Sequence, residues 1–257
     1  MSIHEDKIRQ FARAAGCTYE IHAVAETAST NDDLKRLGTE GAPHGYALVA
    51  GRQTAGRGMQ GRGFFSPESG VYLSVLLRPQ LAPSEILHFT AAAGVAVCRA
   101  IERLTDKTAQ IKWVNDIYID GRKVCGILTE SAIENGAVSR AVIGIGINIS
   151  EPKGGFPDEF KDRACALFSS SREVPEDFAD KLAAGVLSAL EKQLSVSWSE
   201  TLAEYRKRSY LTGREVLLSD GERAFVKGIT DDGGLAVCRT DGREETVSSG
   251  YSVMPCE

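Results

Sequence analysis

Apolar side chains recur along this chain with two different periods, and the switches between them mark out its elements. Ile86, Phe89, Ala93, Val97, Ile101 and Leu104 fall at helical spacing with alanines between them, which predicts a buried scaffold helix over Ile86–Leu104. Phe178, Leu182, Val186 and Leu190, then Leu202 and Tyr205, repeat that period and predict amphipathic helices over 177–194 and 199–209. Residues 1–20 read as a short, mostly polar helix ahead of a strand over Glu20–Val24. Ser29, Thr30 and Asn31 are N-cap types, and Asp32-Asp33 suits a first helical turn, so a helix is expected over about 31–37.

Short apolar runs predict strands at Tyr46–Ala50 and 71–77. Between residues 110 and 149 four further runs (110–113, Asp116–Ile119, 124–129 and 138–149), with turn signals at Asp120-Gly121 and Asn135-Gly136, predict an antiparallel meander. After Thr212-Gly213 the runs shorten to Glu215–Leu218, 224–229, 235–238 and Glu244–Val247, separated by Asp-Gly turns, which is the signal of a small all-β barrel. The expected organisation is one α+β unit over 1–211, a mixed or antiparallel sheet flanked by helices, and a small β unit over 212–257.

Composition narrows the function classes. With 30 basic and 35 acidic side chains the net charge is −5, which gives no broad attraction to nucleic acid or to an anionic membrane. A single short helix before the first strand leaves no room for a helix-turn-helix, so no DNA reader is expected. The six cysteines are scattered without any CxxC pair and read as reduced thiols. Glu5, Asp6, Lys7 and Arg9 interrupt the amino terminus where a secretory signal needs an apolar run, and no uninterrupted apolar stretch of membrane-spanning length follows. A cytoplasmic protein with no membrane partner is therefore expected.

Two segments carry candidate chemistry. Five glycines and three arginines occupy the thirteen residues 51–63. Within them Gly56-Arg57-Gly58-Met59-Gln60-Gly61 spells GxGxxG, yet Phe64-Phe65-Ser66-Pro67 leads into a strand, whereas a dinucleotide fold requires a helix there. The HRD and DFG motifs of kinases are absent. What remains is an anion-handling loop: glycines bring the backbone close, its NH groups bind oxygens, and Arg57 and Arg62 add forked charged donors. A solvated surface loop with incidental arginines is the alternative reading.

The second segment, Ile111-Lys112-Trp113-Val114-Asn115-Asp116 with Lys123 beyond the next turn, gathers two lysines, an amide and a carboxylate at one hairpin end. Joining a carboxylic acid to ATP requires cations that hold two anions together and a hard metal ion against the departing pyrophosphate. Lys123 could supply charge, and Asn115 and Asn148 could supply oxygens to Mg²⁺. Equally, lysines near turns are commonly solvated, and Gly144, Gly146 and Asn148 could serve only close strand packing.

Taken in order, Ser29-Thr30-Asn31, Gln53-Thr54-Ala55-Gly56-Arg57-Gly58, Lys112-Trp113-Val114-Asn115-Asp116, Lys123-Val124-Cys125-Gly126-Ile127-Leu128 and Gly144-Ile145-Gly146-Ile147-Asn148 resemble the bacterial biotin protein ligase family. The resemblance runs from about Thr18 to the carboxyl terminus. It implies a catalytic domain similar to class II aminoacyl-tRNA synthetases and lipoate ligases, followed by an SH3-like domain. It implies ATP and Mg²⁺ as cofactors, biotin as substrate, and as partner a biotin carboxyl carrier protein, the acetyl-CoA carboxylase subunit; a sheet-mediated homodimer is common in the family.

By the same resemblance, the biotin site comprises Ser29, Thr30, Asn31, Gln53, Gly56, Arg57, Gly58, Met59, Phe64, Lys123 and Gly126, with Lys123 and Arg57 as the catalytic cations. Arg62, Lys112, Asn115 and Asn148 would face ATP, the two asparagines beside the metal. Three positions depart from the family pattern: Met59 stands where arginine is usual, Val114 where proline is usual, and Phe64 where tryptophan is common. An arginine at position 59 would add a charge-assisted bond to the adenylate, so loose retention of that intermediate is expected. A lipoate or octanoate ligase on the same scaffold and a non-catalytic biotin sensor are the competing readings.

Overall fold

The computed structural model describes residues 2–248 and 253–256. Seven strands form one mixed sheet: β1 (Glu20–Val24), β2 (Tyr46–Ala50), β3 (Gly70–Leu77), β4 (Gln110–Lys112), β5 (Asp116–Ile119), β6 (Arg122–Glu134) and β7 (Ala137–Asn148). Their spatial order is β1-β2-β3-β7-β6-β5-β4. Only β1 and β2 run parallel, joined by α2 (Thr30–Thr39), because a parallel pair needs a crossover; every other neighbour is antiparallel. The meander expected between residues 110 and 149 is β4 to β7, although β6 runs five residues beyond 124–129 at its far end.

Period-two alternation gives the sheet two unlike faces. Val71, Leu73, Val75 and Leu77 of β3, with Ile143, Ile145 and Ile147 of β7, point into the main core. Packed on that face are α3 (Ile86–Leu104), α4 (Phe178–Leu194), α1 (Glu5–Ala14) and α5 (Trp198–Lys207). With the turn before it, α3 is long and apolar enough to cross a membrane by length and composition; its buried run from Thr90 to Cys98 makes it instead the central core helix. The opposite face carries α2, seated on Leu48, Leu76 and Val142 through Leu34. Beside α2 the same face presents Tyr72 and Ser74 of β3, Gly144 and Gly146 of β7, and Gly126 and Leu128 of β6.

The carboxyl-terminal segment forms a five-stranded antiparallel sheet in the order β11-β10-β9-β8-β12, from β8 (Glu215–Leu218), β9 (Arg223–Ile229), β10 (Leu235–Arg239), β11 (Glu244–Val247) and β12 (Val253–Pro255). Its four longer strands lie where the sequence placed them; β12 had no periodic signal, and closure into a barrel is not part of the described pairing. The turn between β9 and β10 docks on the larger unit: Trp113 donates its indole N–H to Gly233 O at 3.0 Å, and Trp198 donates to Asp231 O at 2.7 Å.

Candidate active site

A cavity of about 340 Å³ opens on the α2 side of the sheet, and its floor is made of glycines. Gly126 and Gly146 are cross-strand partners, and Gly144 faces Leu128 in the next pair on that face. The floor has to be bare. A Cβ on Gly146 would lie 2.5 Å from Phe64 Cε1, one on Gly126 2.8 Å from Phe64 Cε2, and one on Gly144 2.0 Å from Asn31 Oδ1. The strand glycines therefore do more than allow close strand packing: they clear the space in which Phe64 and Asn31 sit.

One rim is built from α2 and the strand-like segment before the glycine loop. Ser29 caps the helix by accepting from Asp32 N, and Thr30 donates both its N–H (2.9 Å) and its hydroxyl (3.0 Å) to Gln53 Oε1. Gln53 Nε2 donates to Ser66 Oγ at 3.0 Å, and Ser66 donates to Phe64 O at 2.8 Å. Asn31 is buried with its amide saturated, donating to Glu130 and Leu128 O and accepting from Ser74 at 2.6 Å, so its side chain braces the floor.

The opposite rim carries the charge. Lys123 Nζ lies 2.6 Å from Asp116 Oδ1. Backbone bonds fix Lys123 further, because its N–H donates to Arg163 O and its carbonyl accepts from Cys165 N, both at 2.8 Å. Lys112 is only 8% exposed and has no ion pair among the described residues. Burial pushes its pKa below the usual 10.5, an effect that Asp116 opposes and that Lys123 and Arg163 reinforce. Asn115 Nδ2 donates to Ile127 O at 2.6 Å and Asn148 Nδ2 to Cys165 O at 3.0 Å. Each asparagine thus donates an amide N–H to backbone, which orients its amide oxygen, the kind of hard group a magnesium ion would need.

Over the cavity lies the glycine loop. Its base is set by Thr54 N to Thr27 O (3.0 Å) and Ala55 N to Ala28 O (2.8 Å), and its neck by Gly58 N to Arg62 O (2.7 Å). Arg57 is held by Asp32, Nε to Oδ2 at 2.9 Å, while Met59 packs against the core cluster. Gln60 takes φ 58° and Gly61 φ 74°, so the crest of this turn is left-handed, which glycine accommodates readily.

Of the expected site residues, all except Gly56 line this cavity, and Arg57 and Lys123 share it. Gly56 lies beneath the loop, where a Cβ would meet Ser66 Oγ at 2.5 Å and Phe64 O at 2.6 Å; it is a packing glycine, off the cavity wall. Sequence reasoning overlooked the segment after β7, which brings Phe156, Phe160 and Arg163 to the wall, and it overlooked Val253 and Met254. It also left Asp116, the partner of Lys123, off the list of site residues. No motif marks these positions; the one local cue is the spacing of Phe156 and Phe160 just after Gly154-Gly155.

Among the described residues the one trio of His, Cys, Asp or Glu side chains close enough to share a metal is His4, Asp177 and Asp180. It lines a wide cleft that adjoins the cavity and shares Gln53, Arg62 and Phe64 with it, and Lys7 already sits on Asp177 at 2.6 Å.

A mixed sheet with a glycine floor, an arginine-bearing loop above it and two lysines opposite makes a cavity suited to holding anions. Comparison with known proteins agrees. The model of the biotin/lipoate A/B protein ligase family matches residues 24–148. The biotin–[acetyl-CoA-carboxylase] ligase of Mycobacterium tuberculosis is 30% identical over 262 residues, covering 96% of this chain and 94% of that one. The chain belongs to this ligase family. The bifunctional ligase/repressor BirA of Bacillus subtilis is 42% identical over 147 residues, and that match spans 57% of this chain and 45% of the relative, less than half of its length. In structure, the biotin protein ligase of Aquifex aeolicus solved with biotin and ATP superposes with a TM-score of 0.78 at 28% identity, covering 92% of this chain and 99% of that one.

Proposed function

We propose that this protein is an ATP-dependent ligase that condenses biotin with ATP to biotinyl-5'-AMP and transfers the biotinyl group to a lysine of a biotin carboxyl carrier protein. The observation that carries the proposal is that Arg57 and Lys123 line one small cavity, with Lys112, Asn115 and Asn148 beside them. The lipoate side of the family is the competing activity; the presence of Gln53 in the cavity rim, with a polar network around it, favours the ureido group of biotin over a plain acyl chain.

In this reading Ser29, Thr30 and Gln53 hold the ureido end, and Phe64 on its glycine floor forms the apolar wall. A carboxylate oxygen of biotin attacks the α-phosphorus, forming a P–O bond as the bond to pyrophosphate breaks. Lys123 lies between the two anions and offsets their repulsion, and Arg57 closes over the carboxylate and α-phosphate. Arg62 and the buried Lys112 face the departing phosphates, where a charge without an ion-pair partner gains most from a bound anion. Asn115 and Asn148 would hold Mg²⁺, which when bound neutralises the pyrophosphate. The carrier amine then attacks the carbonyl carbon of the mixed anhydride, sheds a proton and releases AMP.

The unit over 212–257 is assigned as SH3-like; its β12 residues Val253 and Met254 complete the cavity wall. Met59 in place of arginine leaves the intermediate loosely held. Incubation of the protein with ATP, labelled biotin and an apo carrier domain tests the proposal. Labelled carrier supports it; adenylate without transfer, or biotin binding without turnover, would reduce the chain to a damaged enzyme or a sensor.

A further inference from the structure

Backbone hydrogen bonds at 54, 55, 58 and 64 decide where the Arg57 Cα lies, but they do not direct a long side chain that is about half exposed. That direction comes from Asp32. Asp32 sits in the first turn of α2, its own N–H capped by Ser29 Oγ at 3.3 Å. Each of its carboxylate oxygens meets one cation: Oδ2 takes Arg57 Nε at 2.9 Å and Oδ1 takes Lys35 Nζ at 2.7 Å. Lys35 also reaches Glu130 at 2.8 Å, and Glu130 accepts from Asn31 at 2.9 Å. A continuous chain of charge and hydrogen bonds therefore runs from the cavity floor at Asn31 to the loop at Arg57.

The point of attachment matters. Asp32 grips Arg57 through Nε, and among the described residues no acceptor takes the two terminal nitrogens. A guanidinium fixed in this way is preorganised to offer its outer pair of donors to a bound anion without first losing its rotamer freedom. The neighbouring cation of the loop, Arg62, is engaged through a terminal nitrogen with Gln60 at 3.2 Å, and Met59 contributes no charge. Partial burial works to raise the Asp32 pKa, but the two cations outweigh it and hold the carboxyl below its ordinary value, so it is an anion throughout the neutral range.

We infer that Asp32 is a positioning residue of the ligase site: it orients Arg57 for the biotin carboxylate and for the adenylate formed from it. The inference rests on the ligase reading above and adds a residue that touches neither substrate. Its effect falls on binding and retention of the anion, because Arg57 remains present in an Asp32 variant but must be ordered by the ligand.

The test compares Asp32→Asn, Asp32→Glu, Arg57→Ala and the double variant Asp32→Asn/Arg57→Ala in biotin-dependent ATP–pyrophosphate exchange, in retention of labelled adenylate and in thermal unfolding. Asp32→Asn is expected to raise the KM for biotin about tenfold and to speed loss of adenylate about as much, the scale of one charge-assisted bond, with kcat changed less than about twofold. Asp32→Glu should recover most of the KM, and the double variant should be no worse than Arg57→Ala.

The inference is overturned if Asp32→Asn lowers thermal stability while the KM stays at the wild-type value, or if the Asp32 and Arg57 effects simply add. Absence of exchange in the wild-type protein would instead defeat the ligase reading. Calorimetric titration with biotin then decides the part of Asp32: a weakened Asp32→Asn supports it and an unchanged Kd removes it.

Discussion

Gly144→Ala puts the glycine floor to a quantitative test. The added methyl group would lie 2.0 Å from Asn31 Oδ1 and 2.8 Å from its Cγ, well inside contact distance. Asn31 cannot swing aside at little cost, because it is buried and tied to Ser74 at 2.6 Å and to Glu130 at 2.9 Å. Overpacking of this kind costs about 1–3 kcal/mol. A displaced buried amide left without a partner adds about 1–3 kcal/mol, so about 2–6 kcal/mol of destabilisation is expected in urea unfolding. Since Ser74 Oγ also lies 2.7 Å from the Thr30 hydroxyl, the disturbance reaches the Gln53 rim and should raise the KM for biotin. Gly63→Ala is the control, because a Cβ there meets nothing within 4 Å. Adding Asn31→Ala to Gly144→Ala should recover part of the loss, giving a coupling of opposite sign to the single effects. Should Gly144→Ala unfold within about 0.5 kcal/mol of wild type, the space assigned to Asn31 is wrong.

Lys112 predicts a pH effect. An anion bound beside it raises a pKa that burial has lowered from 10.5, so nucleotide binding should take up a proton on the alkaline side and weaken as pH climbs toward 10.5. Calorimetry in buffers of differing ionisation heat measures this, and equal heats would refute it. For folding the sign is the reverse. The unfolded lysine keeps its proton where the folded one has shed it, so this group's contribution to stability rises with pH between its folded value and 10.5. Met59→Arg should slow loss of biotinyl-AMP about tenfold to a hundredfold, the worth of one charge-assisted bond, read as label retained on gel filtration; equal loss from both proteins would contradict the expected loose retention.

Elements with strong periodicity were legible in the sequence nearly to the residue: α3, β1, β2 and β5 stand where their patterns placed them. The meaning of the strand glycines was not legible, because Gly126, Gly144 and Gly146 clear room for Phe64 and Asn31, which are distant in sequence. The segment carrying Phe156, Phe160 and Arg163 has no period at all. It is held by long-range bonds, Lys123 N–H to Arg163 O and Cys165 N–H to Lys123 O, and only the fold reveals them. Gly56 shares a motif with neighbours that line the cavity, but a Cβ there would meet Ser66 and Phe64, a long-range packing relation that the motif does not reveal. Motif spacing picks out residues that meet in one cavity, and the alternation of β3, β6 and β7 explains why those motifs share one face.

The central claim is that Lys123 holds two anions together in the cavity it shares with Arg57. Single-turnover formation of labelled biotinyl-AMP by Lys123→Met, compared with wild type at saturating biotin and ATP, tests it most directly. The account predicts a rate lower by at least about a hundredfold, as for loss of a positioned charge at the reacting centre, with an unfolding midpoint close to wild type since the Lys123–Asp116 pair is partly solvated. Adenylate formed at the wild-type rate by a folded Lys123→Met protein would contradict it.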